Sequence, residues 1–164
     1  KETKRIFFVS ALSADPPSFK PMNSVGIVKK RNLTQKIFDL IETRIRTRKP
    51  AAYLTGEAWL HGVPFFVDER VIVPRSLIAE PLADGSIDAW LGAHTRQVLD
   101  LCTGNGSLAV LAAMAYPDVR VTGADISPEA LEVARINVAR HELQNRIRLV
   151  ESDGLQHCPG PWDL

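Results

Sequence analysis

The sequence predicts an α/β protein built on a parallel sheet with crossover helices, preceded by a helix and a β-hairpin. Three observations carry that prediction. From residue 97 onward, short apolar runs alternate with segments of helical period. A glycine-bearing turn, Thr103-Gly104-Asn105-Gly106, joins the first run to its helix. An acid, Asp125, ends the second run.

Taken in chain order, residues 1–31 show no clean period, and Pro16, Pro17, Pro21 and Gly26 read as loop, extended or poorly ordered. Over 32–48, Leu33, Ile37, Leu40, Ile41 and Ile45 recur at helical spacing. Asn32 is placed to cap that helix with Gln35 three residues on, and Pro50 stops it. Residues 57–67 predict two short strands around His61-Gly62-Val63-Pro64. An apolar run then ends at Pro74-Arg75. Residues 76–92 predict a helix interrupted near Pro81 or Gly85.

The alternating part follows. Residues 98–102 are a strand, 107–116 a helix, 119–125 a strand and 127–141 a helix with Ser127 as its cap and Pro128 at its first position. Residues 146–152 form a third strand, and 161–164 begin a fourth. The expected organisation is a basic segment over 1–49 containing the helix, a hairpin linker over 50–76, and a cofactor-binding domain over 77–164 that is incomplete at its carboxyl end.

A chain of 164 residues, 45% of them hydrophobic, has the material for one domain and a small appendage. No run approaches the roughly 18 apolar residues of a membrane span. The opening KETKRIFFVSALSADPP is too short and too broken for a signal peptide. Two cysteines, Cys102 and Cys158, make no disulfide framework, so a reduced cytoplasmic setting is expected. His61, His94, His141 and His157 share no ligand spacing with them, and no metal is expected. Residues 1–50 hold twelve Lys/Arg against four Asp/Glu, whereas 51–164 hold eight against fifteen. A basic amino-terminal part on an acidic body fits contact with nucleic acid or another anionic surface, or simply a solvated basic face.

Ligands of parallel sheets sit beyond the carboxyl ends of the strands. Glycines 104 and 106 let backbone N–H groups approach a ligand at an electropositive helix start. Asp125 can accept hydrogen bonds from ribose hydroxyls. Loop and acid together indicate a nucleoside-containing cofactor; the bland alternative is a tight turn and a capping Asp. Residues 104–109 also satisfy the dinucleotide pattern G-x-G-x-x-G/A, which keeps a nicotinamide dehydrogenase as a formal competitor. Two acids argue against it. Asp100, within the first strand, suits the cationic methionine end of S-adenosylmethionine better than a pyrophosphate. Asp153, after the third strand, is placed to meet an adenine amine.

DLCTGNG, ADIS and SDG together resemble the first three motifs of the class I, Rossmann-like S-adenosylmethionine-dependent methyltransferases. The run RKPAAYLTGEAWLHGVPFFVDERVIVPRS (48–76) resembles the hairpin and linker of the HemK-like protein-glutamine methyltransferases. The release-factor branch of that family typically reads P-R-P-E/D-T-E where this chain reads Pro74-Arg75-Ser76-Leu77-Ile78. With AAYLTGEAW and Cys102, this is similar to the ribosomal-protein branch (PrmB type). The resemblance covers about residues 32–164; residues 1–31 do not look like the family's helical amino-terminal domain.

By motif position, the resemblance implies that Cys102, Thr103, Gly104, Asn105 and Gly106 surround the cofactor and that Asp125 holds its ribose. Ile126 is expected against the adenine, or as ordinary core. Asp153 is expected at the adenine edge. Gly154 stands where the family has a larger residue covering the adenine. Arg75 is placed to face the cofactor carboxylate or the substrate, or to make a surface ion pair. Cys102 lacks a histidine partner nearby and reads as a small buried residue rather than a nucleophile. Trp59, Phe65 and Phe66 read as hairpin core ahead of a docking role.

The implied activity is methylation of the side-chain amide nitrogen of a glutamine in a large-subunit ribosomal protein. An amide nitrogen is a poor nucleophile, because its lone pair is delocalised, and it has to be positioned. The family does so with Asn-Pro-Pro-Tyr after the fourth strand. That motif does not occur in these 164 residues. The expectation is a chain truncated before it, which transfers no methyl group by itself. Release-factor glutamine methylation, adenine methylation in DNA and a non-catalytic RNA- or ribosome-binding module stand as alternatives.

Overall fold

The computed structural model describes residues 24–164, with side chains from residue 32 onward. The predicted loop over 1–23 lies outside the described residues. Of those described, 24–41 fall in one unit and 42–164 in another.

Helix α1 runs Ser24–Thr47. It begins at Ser24 rather than at residue 32, so Asn32 is a mid-helix residue and not a cap. The prolines that suggested loop all precede it, and the single Gly26 costs a helix only about 1 kcal/mol. The helix ends through Arg48 in the left-handed conformation (φ 60°), whose N–H donates to Arg44 O at 2.8 Å. Pro50 follows two residues later and starts a short helix α2, Ala51–Thr55, closed by left-handed Gly56.

Strands β1 (Glu57–Leu60) and β2 (Val63–Phe66) form an antiparallel hairpin in which Leu60 pairs with Val63. The turn is His61-Gly62 alone. Both residues have positive φ, 47° and 77°, as a two-residue hairpin turn matching the strand twist requires. Val63 and Pro64, predicted to lie in the turn, are therefore strand. Pro64 faces Trp59, one pair in from the turn. Pairs alternate along the ladder and the turn-flanking pair is hydrogen-bonded, so Pro64 falls where no N–H is needed.

Helix α3 (Ala79–Asp84) carries Pro81 as its third residue, a position whose N–H would have no acceptor within the helix. The interruption falls at Gly85, φ 75°, and a 3₁₀ turn over Ser86–Trp90 follows.

Strands β3 (Gln97–Leu101), β4 (Arg120–Asp125) and β5 (Ile147–Glu151) form a parallel sheet in the order β3-β4-β5. Helix α4 (Ser107–Ala115) crosses from β3 to β4, and α5 (Pro128–Arg140) from β4 to β5. β4 is central, and Val121, Thr122, Gly123 and Ala124 are all buried. The expected fourth strand registers as two backbone bonds on the outer edge of β3, Asp163 N to Gln97 O and Leu99 N to Leu164 O, each 2.8 Å. Asp163 Oδ2 also accepts from Arg96 N and Gln97 N, and these N–H groups hold its carboxyl below the ordinary range.

One core joins the hairpin to the sheet: Phe65, Leu82, Val98, Val110, Val121, Val138 and Ile147 pack together. Phe65 is fully buried, as expected of hairpin core, but Trp59 is 62% exposed. Trp59 faces outward because side chains alternate along β1, where the adjacent Ala58 takes the buried position.

Candidate functional site

The loop after β3 is built around one half-buried carboxylate. Asp100 Oδ2 accepts from Thr103 Oγ1 at 2.6 Å and from Ala109 N at 3.0 Å. Burial pushes the Asp100 carboxyl above its ordinary range against the pull of those two bonds, and the Asp125 charge adds to the rise. Thr103 N donates to Ala124 O, which locks the loop onto β4. Cys102, Gly104 and Gly106 all adopt positive φ, at 61°, 55° and 78°. Cys102 is exposed rather than buried, because the chain leaves the strand through this left-handed residue.

The two glycines serve different ends. A Cβ on Gly104 would meet nothing within 4 Å, so open space lies over it. A Cβ on Gly106 would sit 3.2 Å from Ala134 Cβ, so Gly106 permits the close approach of α4 and α5.

Asp125 faces this loop from the end of β4. Its Oδ2 accepts from Gly104 N at 2.8 Å and its Oδ1 from Ser127 N at 3.0 Å. An ionised carboxylate offers about four acceptor positions. One remains on each oxygen, and the side chain is only half-buried. Ser127 caps α5, its hydroxyl accepting from Ala130 N at 3.1 Å, as its sequence position predicts.

A cavity of about 500 Å³ opens between this loop and the segment after the hairpin. Residues 70–76 form one wall. Asp100, Leu101, Cys102, Thr103, Gly104 and Asn105 form the other, with Asp125 and Ser127 at one end. The volume suits a cofactor-sized ligand. The structure thus brings Arg75, Asp100, Cys102, Thr103, Gly104, Asn105 and Asp125 to one space. Arg75 is exposed there, and no ion pair engages it among the described residues. Gly106, Ile126, Asp153 and Gly154 lie outside the lining. Ile126 is 64% exposed at the end of β4, while Asp153 and Gly154 are exposed in the turn after β5. Ser152 Oγ shapes that turn by donating to Gly154 O and accepting from His157 N.

One buried atom in the lining residues has no partner. Asn105 Oδ1 accepts from Ser107 N, which fixes the amide's orientation, and leaves its Nδ2 without a hydrogen-bond partner. Buried polar atoms are nearly always satisfied, so an orphan beside a cavity points to a ligand.

Sequence reasoning missed three contributors. Arg70 and the wall 71–73 read only as an apolar run. Gly123 read as ordinary strand, yet a Cβ there would lie 2.9 Å from Thr103 Oγ1 and 2.9 Å from Leu149 Cδ2. Asn137 is fully buried on the inner face of α5. Its signal was available: it occupies an apolar stripe with Ala130, Val133, Ala134 and Val138.

Among the described residues, no group of three His, Cys, Asp or Glu side chains could hold a metal ion. No described helix is long and apolar enough to cross a membrane.

Residues 86–164 match the model of the methyltransferase small domain. The three-stranded parallel sheet with crossover helices is that of a class I, Rossmann-like methyltransferase. Two curated relatives that this chain resembles are both named "Ribosomal protein uL3 glutamine methyltransferase". The Bordetella pertussis protein is 49% identical over 126 residues, 76% of this chain and 42% of that protein. The Bradyrhizobium diazoefficiens protein is 44% identical over 150 residues, 87% of this chain and 46% of that one. The chain therefore spans less than half the length of these curated relatives. A crystal structure titled as a SAM-dependent methyltransferase from Agrobacterium tumefaciens superposes with a TM-score of 0.47 and 24% identity, covering 62% of this chain and 33% of that one.

Proposed function

We propose that this protein uses S-adenosylmethionine to methylate the side-chain amide nitrogen of a glutamine in a large-subunit ribosomal protein. The observation that carries the proposal is the cavity, which is lined by a glycine loop and by two carboxylates, Asp100 and Asp125, bonded to neighbouring residues of that loop. The substrate class is taken from the printed names of the curated relatives.

The residues present fit the cofactor. Burial pushes the Asp100 carboxyl above its ordinary range, and a cationic ligand beside it would favour the charged form. Asp125 keeps free acceptor positions for a pair of ribose hydroxyls. The space over Gly104 and the unpartnered Asn105 Nδ2 are features that a bound molecule would fill and satisfy. In this assignment Asp100 and the 102–106 loop hold the methionine end. Asp125 holds the ribose, Ile126, Asp153 and Gly154 border the adenine, and Arg75 faces the cofactor carboxylate or the substrate. When bound, S-adenosylmethionine supplies an electrophilic methyl group. The chain's own part is to bind, orient and desolvate that group through the loop and the wall at 70–76.

The proposed organisation assigns 77–164 to cofactor binding and 50–76 to a linker that walls the site. Residues 1–49, with Lys29, Lys30 and Arg31 on α1, would contact ribosomal RNA. The setting is the cytoplasm, where nascent large subunits form.

The test incubates the full-length protein with S-adenosylmethionine and unmethylated large-subunit proteins, followed by peptide mass spectrometry. A gain of one methyl group on a glutamine supports the proposal. Methylation confined to a release factor or to adenine in DNA would overturn its substrate, and no transfer to any of the three would overturn the activity.

A further inference from the structure

Asn137 makes three hydrogen bonds from the carboxyl-terminal part of α5, all to backbone. Its Oδ1 accepts from Phe66 N at 2.7 Å. Its Nδ2 donates to Phe66 O at 3.0 Å and to Asn105 O at 2.8 Å. Phe66 ends β2, four residues before the cavity wall that begins at Arg70. Asn105 belongs to the opposite wall. One fully buried amide therefore touches the root of both walls.

The chemistry is specific to an amide. Phe66 presents a donor and an acceptor side by side, and only a group with both can satisfy the pair. The second Nδ2 hydrogen then reaches the loop. An aspartate in this place would keep the bond from Phe66 N and turn an acceptor toward two carbonyls. An aliphatic residue would leave all three groups unsatisfied in a dry setting.

We propose that Asn137 is a positioning residue that ties the hairpin wall of the cavity to the glycine loop, so that the two walls open and close as one unit. The proposal rests on the S-adenosylmethionine reading only for the identity of the ligand. Binding to one wall then orders the other. The width of the cavity is set from behind its lining, by a residue on the inner face of α5 that does not itself line the cavity.

The experiment is amide hydrogen exchange on the full-length protein, wild type and Asn137→Asp, with and without S-adenosylmethionine. In the wild type, the ligand is expected to protect the Phe66 amide and residues 70–76 together with 103–107. Asn137→Asp is expected to bind about tenfold more weakly or worse and to show protection of 103–107 alone. Protection of both walls in a folded Asn137→Asp protein of wild-type affinity would overturn the proposal. Should the variant fail to fold, exchange of the wild type in rising denaturant decides. Phe66 and Gly106 amides opening in one event support the tie, and separate events refute it. Should the wild type bind no S-adenosylmethionine, the functional reading fails, and the same ligand-free exchange still decides on the tie.

Discussion

Thr103 Oγ1 lies 2.6 Å from Asp100 Oδ2, and that short bond exists because β4 carries no side chain at Gly123. A methyl group there would lie 2.9 Å from the Thr103 hydroxyl, and 2.9 Å from Leu149 Cδ2 on the neighbouring strand. Both neighbours are held in place, Thr103 by its bond to Ala124 O and Leu149 by β5. Gly123→Ala should therefore destabilise the protein by about 1–3 kcal/mol through overpacking. Urea denaturation measures that loss. Titration with S-adenosylmethionine should show weaker binding, because the displaced Thr103 releases Asp100. A variant as stable as the wild type would mean the strand relaxes at no cost.

The raised Asp100 carboxyl makes stability depend on pH in a defined direction. Its folded pKa lies above the unfolded value of about 3.9. The protonated folded form is favoured, so the contribution is fully present below the unfolded pKa. It is lost as pH rises through the folded pKa. Asp100→Asn should remove that loss, since an amide oxygen still accepts from Thr103 and Ala109. Urea unfolding from about pH 4 upward should give a difference between variant and wild type that grows in the variant's favour and then levels off. A constant difference would contradict the burial argument.

Arg146 is the main tether of the end of α4. Its guanidinium donates to Ala113 O at 2.8 Å, Tyr116 O at 2.6 Å and Val119 O at 2.7 Å. Arg146→Ala removes three charge-assisted bonds from carbonyls at a helix carboxyl terminus. A loss of about 2–4 kcal/mol is expected in denaturant unfolding, with Arg146→Lys recovering part of it. A loss below about 0.5 kcal/mol would show that water replaces the guanidinium.

The cap of α5 gives a smaller effect. Ser127→Ala removes the bond to Ala130 N and should cost about 1 kcal/mol, read as a fall in thermal midpoint. Ser127→Asp should restore most of it.

What was legible in the sequence follows from what kind of physics wrote it. The alternation from residue 97, the Ser127-Pro128 helix start and the existence of a hairpin around His61-Gly62 are local, and each is set by residues adjacent in the chain. The start of α1 at Ser24 is not legible, because Gly26 and the absence of a clean apolar period before residue 32 read as loop, whereas Pro21 restricts mainly its own neighbours. The loop and Asp125 were legible as cavity residues because they lie at strand ends. Gly123 and Asn137 were not, because their roles depend on what faces them across the fold. Gly123 is required by the Thr103 side chain and Asn137 by the backbone of Phe66, and neither partner is near in sequence.

The central claim is that Asp125 and the loop opposite it hold S-adenosylmethionine. Calorimetric titration of the full-length protein with S-adenosylmethionine, wild type against Asp125→Ala, tests it most directly. The account predicts saturable binding by the wild type and a loss of roughly 2–3 kcal/mol in the variant, for the charged hydrogen bonds removed. Equal affinity in the two proteins, or no binding by the wild type, would contradict it.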